Sequence, residues 1–341
     1  MYFVNFGMIA IVPQSFLVAL FFFYGFDSHR SYGQERQLIR PVMRDTLPAS
    51  AVQAIATSGD GKRMAVSGQA SDLRFYDLTT FQRVRKFSSP KSETYLDLEF
   101  SPDGKRLAAA GTHTVHIWDT EKFVMLFEFD ACWPIVFSRD GNQLLTTSTD
   151  SKEMMAWSLS TRQKAWSIPH TDRICAMSLS ADNRYLATVT IDEPKLRVWD
   201  LKNITLPPLV LPADTGKEMA KLDRRVDRID FSKDAETLVM SGADVSYFAN
   251  LKEKSVVHLG DSRMALSRSK SLLFSIGFPA NTIQVWNAKT TKLLTQVTLD
   301  VELPIALPCV LNVSSDGKLL CVGDDSGNIV VVDTDAIKLP K

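Results

Sequence analysis

"FSPDGKRLAAAGTHTVHIWDT", Phe100 to Thr120, reads as three short strands joined by two turns. Ser101-Pro102-Asp103-Gly104 has the chemistry of a tight turn. Aspartate accepts hydrogen bonds from the amides that follow it, and glycine adopts the left-handed backbone that closes a hairpin. Just before the turn, Leu96, Leu98 and Phe100 alternate with Tyr95, Asp97 and Glu99; after it, Val115 and Ile117 alternate with His116 and Trp118. Period-two alternation is the signature of strands. Apolar residues on both faces imply strands packed from two sides, and no long amphipathic helix appears.

The stretch is one copy of a repeated unit. Its turn has counterparts at Ser58-Gly59-Asp60-Gly61, Ser138-Arg139-Asp140-Gly141 and Ser314-Ser315-Asp316-Gly317. Looser copies stand at Ser180-Ala181-Asp182-Asn183, Ser232-Lys233-Asp234-Ala235 and Ser267-Arg268-Ser269-Lys270. The copies are spaced by roughly 35 to 50 residues, the period of propeller blades. Asn183 is the residue that best replaces glycine at positive φ. Ala235 and Lys270 fit less well, so those two hairpins are expected to be built differently. The Trp118-Asp119 end also recurs, as Tyr76-Asp77, Trp157-Ser158, Trp199-Asp200, Trp286-Asn287 and Val332-Asp333. In the fifth unit the counterpart lies around Phe248-Ala249-Asn250, with the register open by one residue.

The S-P-D-G turn combined with the "VHIWD" and "LRVWD" strand ends resembles the WD40-repeat family, over essentially everything from Gln37 onward. The resemblance implies an all-β fold, a seven-bladed β-propeller of four-stranded antiparallel blades. The seventh unit supplies three strands only, so its fourth is expected from Gln37 to Met43, an N-terminal strand closing the last blade. The family's His–Ser/Thr–Asp–Trp network can be supplied in full by the fourth unit alone, as His170, Thr188, Asp192 and Trp199. Elsewhere the histidine is missing, which marks a divergent member resting more on packing than on these networks.

The residues before the repeats differ from the rest. From Tyr2 to Phe26 there is no charged side chain, and 16–23 is densely apolar. Residues 1–33 read as a signal peptide with a cleavage site at Ser31-Tyr32-Gly33, or as an uncleaved anchor, or as a mis-assigned start. Residues 34–341 form the propeller. Pro13 interrupts a spanning helix, the n-region lacks Lys and Arg, and the arginines at 30, 36, 40 and 44 would leave the body cytosolic. Export, to the periplasm or outside the cell, or anchoring through residues 2–26 is expected, with a cytoplasmic location as the alternative. Membrane contact is expected only through this segment.

Thirty-nine basic residues balance thirty-nine acidic ones in a chain of 341, 45% hydrophobic and 23% charged. That composition is globular, and the absence of a basic excess argues against nucleic acid. Gly216-Lys217 lacks the upstream glycine of a phosphate loop, which would stand at Leu211. Ser267-x-x-Lys270 lacks its companion motifs. His113 and His116 fall on opposite faces of a strand. Cys132, Cys175, Cys309 and Cys321 have no metal-type spacing; Cys309 and Cys321 are out of register for a disulfide, and all four read as small buried hydrophobes. Asp324-Asp325-Ser326-Gly327-Asn328 resembles a calcium loop only faintly, since Ile329 replaces the required glycine.

No catalytic residue, cofactor or metal ligand is therefore assigned. The expected activity is binding of a protein or peptide on one face of a monomeric propeller, through loops carrying Lys152, Glu193, Phe278, Asp324 and Asp325. The segment 203–225 is the longest departure from the repeat. The alternative is an enzyme or cofactor binder with a site in the central channel, which would require three or more inward histidines or carboxylates within reach of one another.

Overall fold

The computed structural model describes residues 37–48, 50–90, 93–191, 195–211, 226–243, 245–260, 262–277, 281–300 and 308–340. These residues fold into seven antiparallel blades, with one parallel strand added at the edge of the sixth. The second blade shows the plan, in the order Asp97–Phe100, Arg106–Ala110, Thr114–Asp119 and Val124–Asp130 from the innermost strand outward. The inner three strands are largely buried, whereas the outermost is exposed along much of its length. In the first blade the outermost strand, Gln82–Ser88, carries Arg83, Arg85 and Lys86. Charge along an open edge discourages pairing with another chain.

The core is distributed between blades. One apolar cluster combines Phe75 and Leu73 of the first blade with Tyr95, Leu98 and Phe100 of the second. Equivalent clusters lie between each successive pair, and Ile55 and Val66 of the first blade pack with Val331 and Ile329 of the seventh. The ring is thus closed by a packed seam. Burying a side chain such as Leu107 contributes about 1.5–3 kcal/mol relative to exposure. The middle strands of a blade face a neighbouring blade on both sides, so both of their faces are apolar.

The turns are built as their sequence demands. In the second blade Ser101 Oγ donates to Asp103 Oδ1 at 2.6 Å, the Lys105 amide donates to the same oxygen at 3.0 Å, and Gly104 has φ 70°. Asn183 takes the same conformation at φ 60°. The fifth turn departs from expectation by not departing from the pattern. Ser232 Oγ donates to Asp234 at 2.5 Å, and Ala235 accepts φ 58° in the place of glycine. The sixth is built differently, with Ser269 where the aspartate stands elsewhere and the left-handed residue moved one place on, to Ser271 at φ 52°.

The strand ends also act locally. The amides of Thr79, Lys122, Lys202 and Lys289 donate to Asp77, Asp119, Asp200 and Asn287 at 2.7, 2.7, 3.0 and 2.9 Å. In the fifth blade Asn250 pairs with Thr237 and accepts from the Glu253 amide, so the register left open is settled as Ala249-Asn250.

An N-terminal strand, β2 (Met43–Thr46), does close the last blade, pairing antiparallel with Asn328–Val331. The segment 37–43 is nevertheless divided. β1 (Gln37–Ile39) adds in parallel to the outer strand of the sixth blade, Leu293–Leu299, and Pro41 lies between the two strands rather than within one. Ile39 accounts for the split: it packs with Val297, Leu299 and Val330 at the seam of the last two blades, an apolar site unavailable to a single straight strand. The segment 203–225 also contains more of the repeat than expected, because Leu209–Leu211 is the fourth strand of the fourth blade. Residues 212–225 lie outside the described residues, as does the whole apolar segment 2–26. Among the described residues no helix is long and apolar enough to cross a membrane.

Candidate functional site

The innermost strand of a blade is a sheet edge, with amides and carbonyls directed at the ring axis and no strand to pair with. Buried backbone groups need partners, and here charged side chains of neighbouring blades supply several. The Ile135 amide donates to Asp97 Oδ2 at 2.9 Å and the Phe137 amide to Glu99 Oε2 at 2.7 Å, both from the third blade to the second. Two blades further on, from the fifth blade to the fourth, the Phe231 amide donates to Ser178 Oγ at 3.4 Å. Glu99, Ser178 and Asp230 each stand two residues before the turn serine of their blade, so one structural position recurs with different chemistry.

Arginines serve the carbonyls. Arg139 Nη2 donates to the Leu179 carbonyl at 3.2 Å, and Arg228 Nη1 to that of Leu311 at 2.6 Å. The innermost strands of all seven blades surround a central channel of about 980 Å³. Arg228 pairs with Asp230 at 2.8 Å, Asp230 also lies 3.6 Å from Arg268, and Arg263 makes a bidentate pair with Asp227 at 2.6 and 2.8 Å.

The two carboxylates of the second blade behave differently from ordinary surface acids. They line the channel but are surrounded by protein. Burial pushes Asp97 up to about 6, against the Ile135 amide and Arg228. Burial pushes Glu99 up to about 8, with the charge of Asp97 acting in the same direction and Arg139 and Arg268 against it. Glu99 is therefore mostly protonated at neutral pH. Burial lowers Arg139, and repulsion from Arg268 lowers it further. For Arg228, the nearby Asp230, Asp97 and Asp227 outweigh burial and hold the guanidinium above its usual range.

These charged residues were visible in sequence but not read as a site. Asp97 and Glu99 alternate with core residues in a first strand, and Arg139 and Arg268 follow turn serines. The missing step was that the polar face of a first strand looks into the channel.

The expected network in the fourth blade is assembled from three of its four residues. His170 Nε2 lies 3.2 Å from Thr188 Oγ1, and Trp199 Nε1 donates to the same hydroxyl at 3.2 Å. His170 Nδ1 faces the Ile168 carbonyl at 3.3 Å; a carbonyl can only accept, which puts the proton on Nδ1. Burial lowers this histidine to about 4, so it is neutral. Asp192 lies outside the described residues. The third and sixth blades keep half of the arrangement without a histidine, since Trp157 donates to Thr146 and Trp286 to Ser275, each at 3.0 Å.

Among the loop residues, Lys152 is exposed, and Asp325 is exposed at the channel end where the innermost strands begin. Asp324 is fully buried: Oδ1 accepts from the amides of Ser326 and Asn328 at 3.0 and 2.7 Å, which builds the turn. It holds the loop rather than presenting a charge. Glu193 and Phe278 lie outside the described residues. Lys270 Nζ binds Asp335 at 2.5 Å, so Ser267 and Lys270 belong to a turn and an inter-blade tie. His113 is exposed while His116 is buried against the Tyr95 hydroxyl at 2.9 Å. Cys132, Cys175 and Cys321 are buried. Among the described residues no three His, Cys, Asp or Glu side chains could share a metal ion.

Residues 81–119 match the family described as WD domain, G-beta repeat. The match spans the outermost strand of the first blade and the first three strands of the second. No curated protein matches the chain.

Proposed function

We propose that this chain, a seven-bladed propeller carrying a WD40-repeat match, is a non-enzymatic scaffold that binds a protein or peptide. The observation that carries the reading is the repeat match within a closed ring of seven blades, an architecture that commonly serves protein interaction. Fold does not by itself decide function. Support also comes from a division of labour among polar residues: the turn residues that repeat build the blades, while a group of charged residues that do not repeat is gathered in the channel. Lys152 and Asp325 are the described loop positions offered to a partner, with Glu193 and Phe278 proposed beside them. The propeller acts as a monomer, brought to its compartment by residues 2–26.

A photo-crosslinking residue at position 325, compared with one at Val84, exposed midway along an outermost strand, tests the reading in the cells that make the protein. Partner adducts from position 325 and not from 84 are expected. Equal labelling, or adducts only between copies of this chain, refutes it. Sequencing the mature N-terminus in the same preparation tests targeting: Gln34 indicates cleavage, and an intact Met1 in the membrane fraction indicates an anchor.

The alternative, an enzyme with its site in the channel, draws on Glu99, whose carboxyl stays protonated near neutrality as a general acid would. Against it, each channel carboxylate described here is engaged with an arginine or a backbone amide.

A further inference from the structure

Around the channel the arginines are not equally neutralised. Arg263 has Asp227, and Arg228 has Asp230, both in direct contact. Arg268 shares Asp230 at the longer distance of 3.6 Å. Arg139 has no carboxylate within ion-pair distance among the described residues: its Nη2 donates to a carbonyl, and its buried Nε has no hydrogen-bond partner. The acids that act on it are Glu99, which is largely uncharged at pH 7, and Asp230, which Arg228 and Arg268 already share. One end of the channel therefore holds two mutually repelling guanidiniums and less negative charge than they require.

The position of these arginines in the repeat places them at a definite end. Each directly follows the turn serine of its blade, Ser138 and Ser267, where other blades have Gly59, Pro102, Ala181, the exposed Lys233 or Ser315. The small residues leave the mouth open on those sides. Arg139 and Arg268 thus flank the turn end of the channel, opposite the end that Asp325 lines.

We propose that the turn end of the channel binds an acidic peptide segment of the partner, taking one aspartate or glutamate side chain between Arg139 and Arg268. The carboxylate supplies the charge that these two residues lack, and charge-assisted hydrogen bonds to guanidinium groups are among the stronger polar contacts. Arginine clusters are a recurring means of recognising acidic motifs. Glu99 regulates the site. The groups facing it are Asp97 on its own strand, Arg139 from the third blade and Arg268 from the sixth. When protonated it leaves the arginines free for the ligand; when ionised it neutralises Arg139 and repels the incoming carboxylate.

The proposal rests on the scaffold reading and specifies its partner. The test titrates the full chain with amidated hexaglutamate by calorimetry at low salt and pH 7, with hexalysine and inorganic phosphate as controls. Saturable binding of hexaglutamate is expected, weakened at least tenfold in Arg139→Gln and in Arg268→Gln and unchanged within twofold in Lys292→Gln, an exposed lysine beside an outermost strand. Wild-type affinity should fall between pH 7 and 9, and that fall should be absent in Glu99→Gln. Melting curves establish that each variant is folded; should Arg139→Gln fail, Arg268→Gln and the pH series decide. Absence of saturable binding, equal binding of hexalysine, or indifference to the arginine substitutions overturns the proposal. Phosphate binding as tight as the peptide through the same arginines also overturns it, leaving a free-anion site. If hexaglutamate does not bind while position 325 still cross-links a partner, the scaffold stands and this site alone falls.

Discussion

The Tyr76 hydroxyl donates to Asp45 Oδ2 at 2.8 Å, and this bond joins the first blade to the strand that closes the seventh. Burial raises the phenol well above its usual range, with the Asp45 bond and charge acting in the same direction, so Tyr76 is a donor throughout the working pH range. Closure of the ring is thus fastened at its side as well as by the pairing of Met43–Thr46 with Asn328–Val331.

Replacing Tyr76 by Phe keeps the apolar contacts and removes that bond. The expected cost is about 1.5–3 kcal/mol, the range for a hydrogen bond to a charged group. Amide hydrogen exchange should report it locally, with the amides of 43–46 exchanging faster while those of the fourth blade keep their protection. Uniform loss of protection would contradict a fastening role.

Arg74 is the most deeply placed charge near the same junction, with its side chain 1% exposed. Its Nε lies 3.1 Å from Asp72 Oδ2, and its Nη1 donates to the Thr46 carbonyl at 2.8 Å. Arg74→Ala leaves the buried Asp72 with only the half-exposed Lys86 at 3.5 Å and should cost about 3–5 kcal/mol. Arg74→Met with Asp72→Asn should recover part of that loss, as measured by chemical denaturation.

In the fourth blade Thr188 Oγ1 serves both Trp199 and His170, whereas Thr146 Oγ1 serves one tryptophan. At about 1 kcal/mol net for an ordinary hydrogen bond, Thr188→Val should cost roughly twice as much as Thr146→Val. Equal losses in denaturant titrations would mean that His170 contributes nothing through this hydroxyl.

Two buried groups act on opposite sides of the pH–stability curve. His170 is lowered to about 4, so below pH 6.5 the unfolded chain binds the extra proton and stability falls as pH falls toward 4. Glu99 is raised to about 8, so above its ordinary value of 4.5 the folded state holds the extra proton and stability falls as pH rises toward 8. Glu99→Gln should therefore melt higher than wild type at pH 8 and close to it at pH 5. His170→Gln should flatten the acid side only.

Ala235 holds φ 58° where other turns have glycine. A left-handed L-residue costs about 1–2 kcal/mol, so Ala235→Gly should raise the melting temperature, and Gly104→Ala should lower it.

Much of this protein was determined by sequence alone, wherever the interactions span a few residues. Ser101, Asp103 and Gly104 complete their turn within five positions, and Asp119 caps its own strand end, so seven copies could be counted without a structure. Tertiary structure decided what depends on residues far apart. Nothing local tells Gln37–Ile39 to join the sixth blade and Met43–Thr46 the seventh; Ile39 and Met43 are sorted by seams formed with Leu299 and Val331, more than 250 residues away. Likewise, alternation in 95–100 separates two faces but does not say which one borders a channel. Only closure of the ring brought Glu99, Arg139 and Arg268 together, because a charge whose partners lie on other blades has no local signature.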